Sequence, residues 1–120
     1  MAVLDYVTGN TDRHAGNWLT GGDGRPVAID NGLSFPTNAA DKLRSDFIAR
    51  WLNLPLDDAV TAPLRALDIH AMEVTLRGVG LSESAIEGTM ARVAEISENG
   101  RITGEAWQGR IADARWRTVK

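Results

Sequence analysis

At 120 residues, with 43% hydrophobic and 24% charged side chains, the chain has the make-up of one folded domain with a modest core. Without cysteine it can hold neither a disulfide framework nor a thiolate metal site. No apolar run approaches the roughly 18 residues of a membrane span and no signal-peptide pattern opens the chain, so the expectation is a cytoplasmic protein. The net charge of -3 is unevenly placed: residues 1–100 carry 14 acidic against 8 basic side chains, whereas residues 101–120 carry 2 against 5.

The opening "MAVLDYVT" is apolar with one interposed Asp5, and predicts a short helix that Gly9 and Asn10 end. A polar cluster follows, "TGNTDRHAGNWL" from Thr8 to Leu19. Then "NWLT" and "PVAID" flank "GGDGR", whose Gly and Asp tolerate positive φ, and predict a β-hairpin. Antiparallel pairing would bring the polar cluster and the "DNG" of Asp30 to Gly32 to one end of that hairpin.

From Pro36 the pattern turns helical. Leu43, Phe47, Ile48, Trp51 and Leu52 recur at helical spacing, with Thr37 or Asn38 as candidate N-cap and "NLP" as the stop. A second helix is expected from Ala62 to Arg77 with Pro63 in its first turn, and a third from Ser82 to Asn99 that buries Ile86, Met90, Val93 and Ile96. A last helix is expected over 104–115, packing Trp107 and Trp116 on the body. The alternative for this basic tail is contact with an acidic partner, but its charges form no dense stripe, and nucleic-acid binding is not expected. The fold class expected is mainly α with one small hairpin and four to five helices, in a single domain: residues 1–35 the hairpin with the polar motifs, 36–100 the helical body, 101–120 a basic helix or tail.

"DRHAGN" has an Asp and an Asn in D-x-x-x-x-N spacing, and "DNG" is a D-x-G placed after a hairpin. Phosphoryl transfer needs a carboxylate that orients or deprotonates the attacking hydroxyl, and separate oxygen ligands for magnesium. Each motif alone reads equally as a turn: Asp12 and Asn17 can cap local backbone and Asp30 can tie the hairpin to its loop. His14 alone is a common structural histidine, and His14 and His70 lack zinc-site spacing.

Together, "TGNTDRHAGNWL" and "AIDNGLSFP" resemble the catalytic loop and metal-binding segment of atypical kinases of the phosphatidylinositol 3-/4-kinase-like group, in its bacterial and phage branch; HipA-like kinases have a similar loop. The stretch "LRALDIHAMEVTLRGVGLSESAIEGTMARV" resembles the helical end of that branch. The resemblance implies a kinase C-lobe, with Asp12 as catalytic base or hydroxyl-orienting group, and Arg13 and His14 shaping the loop or contacting phosphate. It also implies Asn17 and Asp30 as metal ligands, and Mg²⁺ and ATP as cofactors.

The N-lobe elements of such kinases, a Gly-rich loop and a strand Lys before the catalytic loop, have no counterpart in this sequence, whose only lysines are Lys42 and Lys120. The expectation is a truncated, pseudokinase-like C-lobe without autonomous activity, since positioning supplies up to ~7–11 kcal/mol of such catalysis. Its open face, with Met1, Val3, Leu4, Phe35 and Pro36, is expected to bind another protein or a second copy. A composition rich in Ala, Arg and Gly and poor in Lys suggests an actinobacterial or phage source, and a modulator of a host protein. The alternative is a Mg-dependent half-site completed by a second chain or protomer.

Overall fold

The computed structural model describes residues 1–11, 13, 18–28, 34–35, 43–107, 111–112 and 118–119. Helix α1 (Ala2–Thr8) is followed by a hairpin of β1 (Trp18–Thr20) and β2 (Pro26–Ala28). Four helices come next: α2 (Asp46–Trp51), α3 (Asp58–Arg65), α4 (Ile69–Gly78) and α5 (Glu83–Asn99). A short pair, β3 (Ile111–Ala112) and β4 (Thr118–Val119), completes the described elements. The mainly helical class with an N-terminal hairpin matches the expectation. No helix among the described residues is long and apolar enough to cross a membrane.

Several boundaries differ from the sequence reading, each for a local reason. Helix α2 begins at Asp46, because Ser45 is extended (φ -156°) and its Oγ accepts from the N–H groups of Phe47 and Ile48 at 3.2 and 3.3 Å. Thr37 and Asn38 lie outside the described residues. The helix expected over 62–77 is two helices: Asp57 caps the first through the Ala59 N–H, and Asp68 starts the second by accepting from the Ala71 N–H at 3.1 Å. Two aspartates the sequence reading did not single out are therefore caps, and Pro63 falls inside α3 rather than in its first turn.

Helix α5 runs as expected from the Ser82 cap to Gly100, which is left-handed (φ 68°). It packs on α1, α3 and α4. Ile86, Val93 and Ile96 are buried, each stabilising the fold by about 1.5–3 kcal/mol, but Met90 is only partly so. Ala85, Thr89, Arg92 and Glu95 take the remaining inward positions. The core around them is Ala2, Tyr6, Val7, Leu43, Ile48, Val93, Ile96, Ile102, Trp107 and Ile111.

Glu95 stitches the core to the C-terminal segment. Its carboxylate accepts from Tyr6 Oη at 2.9 Å, from the Ala106 N–H at 2.8 Å and from the Thr103 N–H at 3.2 Å. Burial and the neighbouring Glu95 push the Tyr6 phenol well above its ordinary pKa, so the hydroxyl stays a donor.

Residues 111–112 and 118–119 are strands, not the helix expected over 104–115. Ile111, Thr118 and Val119 are β-branched, and Gly104, at φ 86°, turns the chain before them. Trp107 is buried as expected; Trp116 lies outside the described residues. A Cβ on Gly104 would sit 2.8 Å from Ile111 Cδ1. Gly104→Ala is accordingly expected to cost about 1–3 kcal/mol, from the positive φ and the overlap together. Urea denaturation of the variant beside the parent chain measures this, and an unchanged midpoint would contradict it.

Candidate catalytic-loop site

Arg13 of the polar cluster is anchored by a buried ion pair. Asp5 lies on the inner face of α1, and after the left-handed Gly9 the chain turns back, so that the Asn10 N–H donates to the Asp5 carbonyl at 2.8 Å. It then runs beside the start of α2. The Arg13 N–H donates to the Arg44 carbonyl at 3.0 Å, and the Asp46 N–H to the Arg13 carbonyl at 3.3 Å, a parallel bridge between Arg13 and Ser45. This alignment sends the Arg13 side chain inward, where Nε donates to both Asp5 carboxylate oxygens at 3.0 and 3.3 Å. Both side chains are fully buried.

Ser45 completes the anchor, donating from Oγ to Asp5 Oδ2 at 2.7 Å while it caps α2. One hydroxyl thus joins α1 and α2. Burial pushes the Asp5 carboxyl above its usual range, while Ser45 and Arg13 pull the other way. Desolvation, then, is the leading cost of this pair.

The segment after the second motif returns to the same helix. The Phe35 N–H donates to the Thr8 carbonyl at 2.5 Å, with Phe35 at φ 56°, unusual for a residue with a bulky side chain. At the hairpin, Trp18 pairs with Ala28 and Leu19 with Val27. The Trp18 ring meets Phe47 of α2 edge to face, centroids 5.1 Å apart. Close in sequence to the two motifs, Trp18 Nε1 and Ser34 Oγ are buried with no hydrogen-bond partner among the described residues. Such orphans cost about 1–3 kcal/mol each unless something supplies a partner.

Of the expected site residues, Arg13 is described, and its side chain turns into the protein to Asp5. Asp12, His14, Asn17, Asp30 and Pro36 lie outside the described residues. Among those described, no cluster of His, Asp or Glu could hold a metal by itself. In the expected partner face, Leu4 is exposed, whereas Met1, Val3 and Phe35 are partly buried and Val3 packs on the core. A sequence reading centred on the cluster missed Asp5 and Ser45. The signal was one carboxylate inside an apolar helix.

Comparison with known proteins finds similarity concentrated at the N-terminal end of the chain. Residues 1–47 match the family described as phosphatidylinositol 3- and 4-kinase. Over 64 residues the chain is 42% identical to phosphatidylinositol 4-kinase LSB6 of Saccharomyces cerevisiae, covering 47% of this chain and 10% of that protein. Over 67 residues it is 34% identical to Protein Rv2133c of Mycobacterium tuberculosis, covering 56% of this chain and 23% of that protein. The aligned part thus spans about a tenth and under a quarter of these two relatives. No solved structure matches. The matches support a phosphatidylinositol 3-/4-kinase-like domain, and the family match contains both polar motifs.

Proposed function

We propose that the chain is a kinase-like C-lobe that carries the catalytic-loop half of a phosphotransfer site and works by binding the protein body that covers this half. The observation that carries the reading is the buried Asp5–Arg13–Ser45 anchor, which ties Arg13, the residue between Asp12 and His14 in the sequence, to α1 and α2. The pairing of Trp18 with Ala28 supports it, since the chain continues from those two residues toward Asn17 and Asp30. A solvated turn has no need of a fully buried ion pair beneath it.

In this reading the Asp12 carboxylate orients an acceptor hydroxyl and takes its proton, and Arg13 positions Asp12 through the backbone. Asn17 and Asp30 offer an amide oxygen and a carboxylate, hard oxygen donors of the kind magnesium takes. Trp18 and Ser34, whose buried Nε1 and Oγ have no hydrogen-bond partner among the described residues, flank these motifs in the sequence. Bound magnesium would neutralise charge on the phosphates of ATP. By analogy with the yeast relative's name, a phosphatidylinositol is the first acceptor to test.

The partner-binding part rests on apolar surface around the motifs. Leu19 and Val27, paired across the hairpin, are 56% and 46% exposed, and Leu4 is 45% exposed. A second copy of the chain or another protein would cover them, and a phage-encoded modulator of a host protein is the setting its composition favours.

The 120-residue chain alone is expected to show no ATP-dependent phosphorylation of phosphatidylinositol vesicles, and light scattering with a paired pull-down to show self-association or a stable partner. Phosphorylation by the chain alone, lost in Asp12→Ala and Asp30→Ala with folding intact, would establish a complete enzyme instead. A monomer that retains no partner would remove the binding role.

A further inference from the structure

Arg92 is a buried cation on α5 that the site above does not use. It is 3% exposed, and its guanidinium donates to neutral oxygens: Nε and Nη2 to the Val7 carbonyl at 3.2 and 3.1 Å, and Nη2 to Thr89 Oγ1 at 3.4 Å. Its central carbon lies 5.0 Å from the centroid of the Trp107 ring. Among the described residues no carboxylate forms an ion pair with it. Burial lowers its pKa to about 10, so it is charged at neutral pH.

A cleft of about 290 Å³ opens over this side chain, between Glu87, Gly88 and Ala91 of α5 and the Ala106–Trp107 segment. Gly88 leaves the space beside the guanidinium open, since a Cβ there would lie 3.0 Å from Arg92 Nη1. The nitrogen without a partner among the hydrogen bonds above is therefore the one beside Gly88, on the cleft. A buried guanidinium bonded only to neutral oxygens has unused capacity for a charge-assisted bond. We propose that this cleft binds a small oxyanion, a phosphate or a carboxylate, on Arg92 Nη1, with Trp107 and Ala91 contacting the apolar group that carries it. Glu87 on the rim repels such a ligand and weakens its binding.

The test is titration of the 120-residue chain with inorganic phosphate, acetate and phenyl phosphate, followed at the Trp107 indole N–H by NMR. At least one probe is expected to give a saturable shift, and the comparison of phosphate with acetate identifies the oxyanion. Phenyl phosphate is expected to bind more tightly than phosphate through its ring. Glu87→Gln is expected to tighten binding about threefold by removing a like charge. Ala91→Glu, at an exposed position, places a competing carboxylate over Arg92 without deleting any of its bonds, and is expected to abolish saturation. Shifts that stay linear with all three probes, or saturation that survives Ala91→Glu, would overturn the assignment.

Discussion

Replacing Arg13 with Ala is expected to destabilise the protein by about 3–5 kcal/mol, the cost of leaving one member of a buried ion pair without its partner. Asp5 would keep Ser45 Oγ at 2.7 Å but lose both contacts to Arg13 Nε. For a domain whose total stability is about 5–15 kcal/mol, this is enough to populate the unfolded state at moderate temperature. Because burial is the leading influence on Asp5, the pair stabilises little relative to apolar groups of the same shape. The double replacement Asp5→Leu with Arg13→Met is therefore expected to lose less than either Asp5→Leu or Arg13→Met alone. Urea denaturation of the two singles and the double measures the coupling. Additive losses would show that the two side chains do not act as a pair. The functional corollary is that the double variant, though folded, holds the loop without its hydrogen-bonded anchor.

The second large effect is expected at Glu95. Substitution by Ala removes the acceptor for Tyr6 Oη and for the N–H groups of Thr103 and Ala106, stranding three donors at the junction of α1, α5 and the C-terminal segment. Hydrogen bonds to a charged group contribute about 1.5–3 kcal/mol each, and their losses overlap, so about 3–5 kcal/mol is expected. Tyr6→Phe, which removes one donor with its bond, is expected to cost only about 1 kcal/mol. Hydrogen exchange at the Thr103 and Ala106 amides offers a local reading. Both should lose protection in Glu95→Ala and keep it in Tyr6→Phe. Protection retained in Glu95→Ala would place the stability of this junction in the apolar contacts of Trp107 and Ile102 instead.

The split of the expected 62–77 helix shows where periodicity misleads. The apolar spacing of Leu64, Leu67 and Ala71 runs on at helical period through the break, but the Asp68 side chain satisfies the Ala71 N–H and so starts a new helix. Capping aspartates and solvated aspartates are the same letter. The same ambiguity hid the anchor: Asp5 in an apolar helix and Ser45 before an apolar run are forty residues apart, and only packing of α1 on α2 joins them.

The sequence by itself determined the local features. The left-handed glycines 9 and 100, the turn-forming "GGDGR", the Ser82 cap and the inward Ile86, Val93 and Ile96 all follow from backbone sterics, short-range hydrogen bonds or periodicity. It also determined the two polar motifs, whose spacing is a property of the chain. Tertiary structure alone decided that Arg13 of the polar cluster turns inward to Asp5, that Glu95 serves three donors, and that Arg92 is buried beneath an open cleft. The reason is physical: a buried charge is tolerable only where distant segments converge to desolvate it and supply its partners, and that convergence is written in no local stretch of sequence.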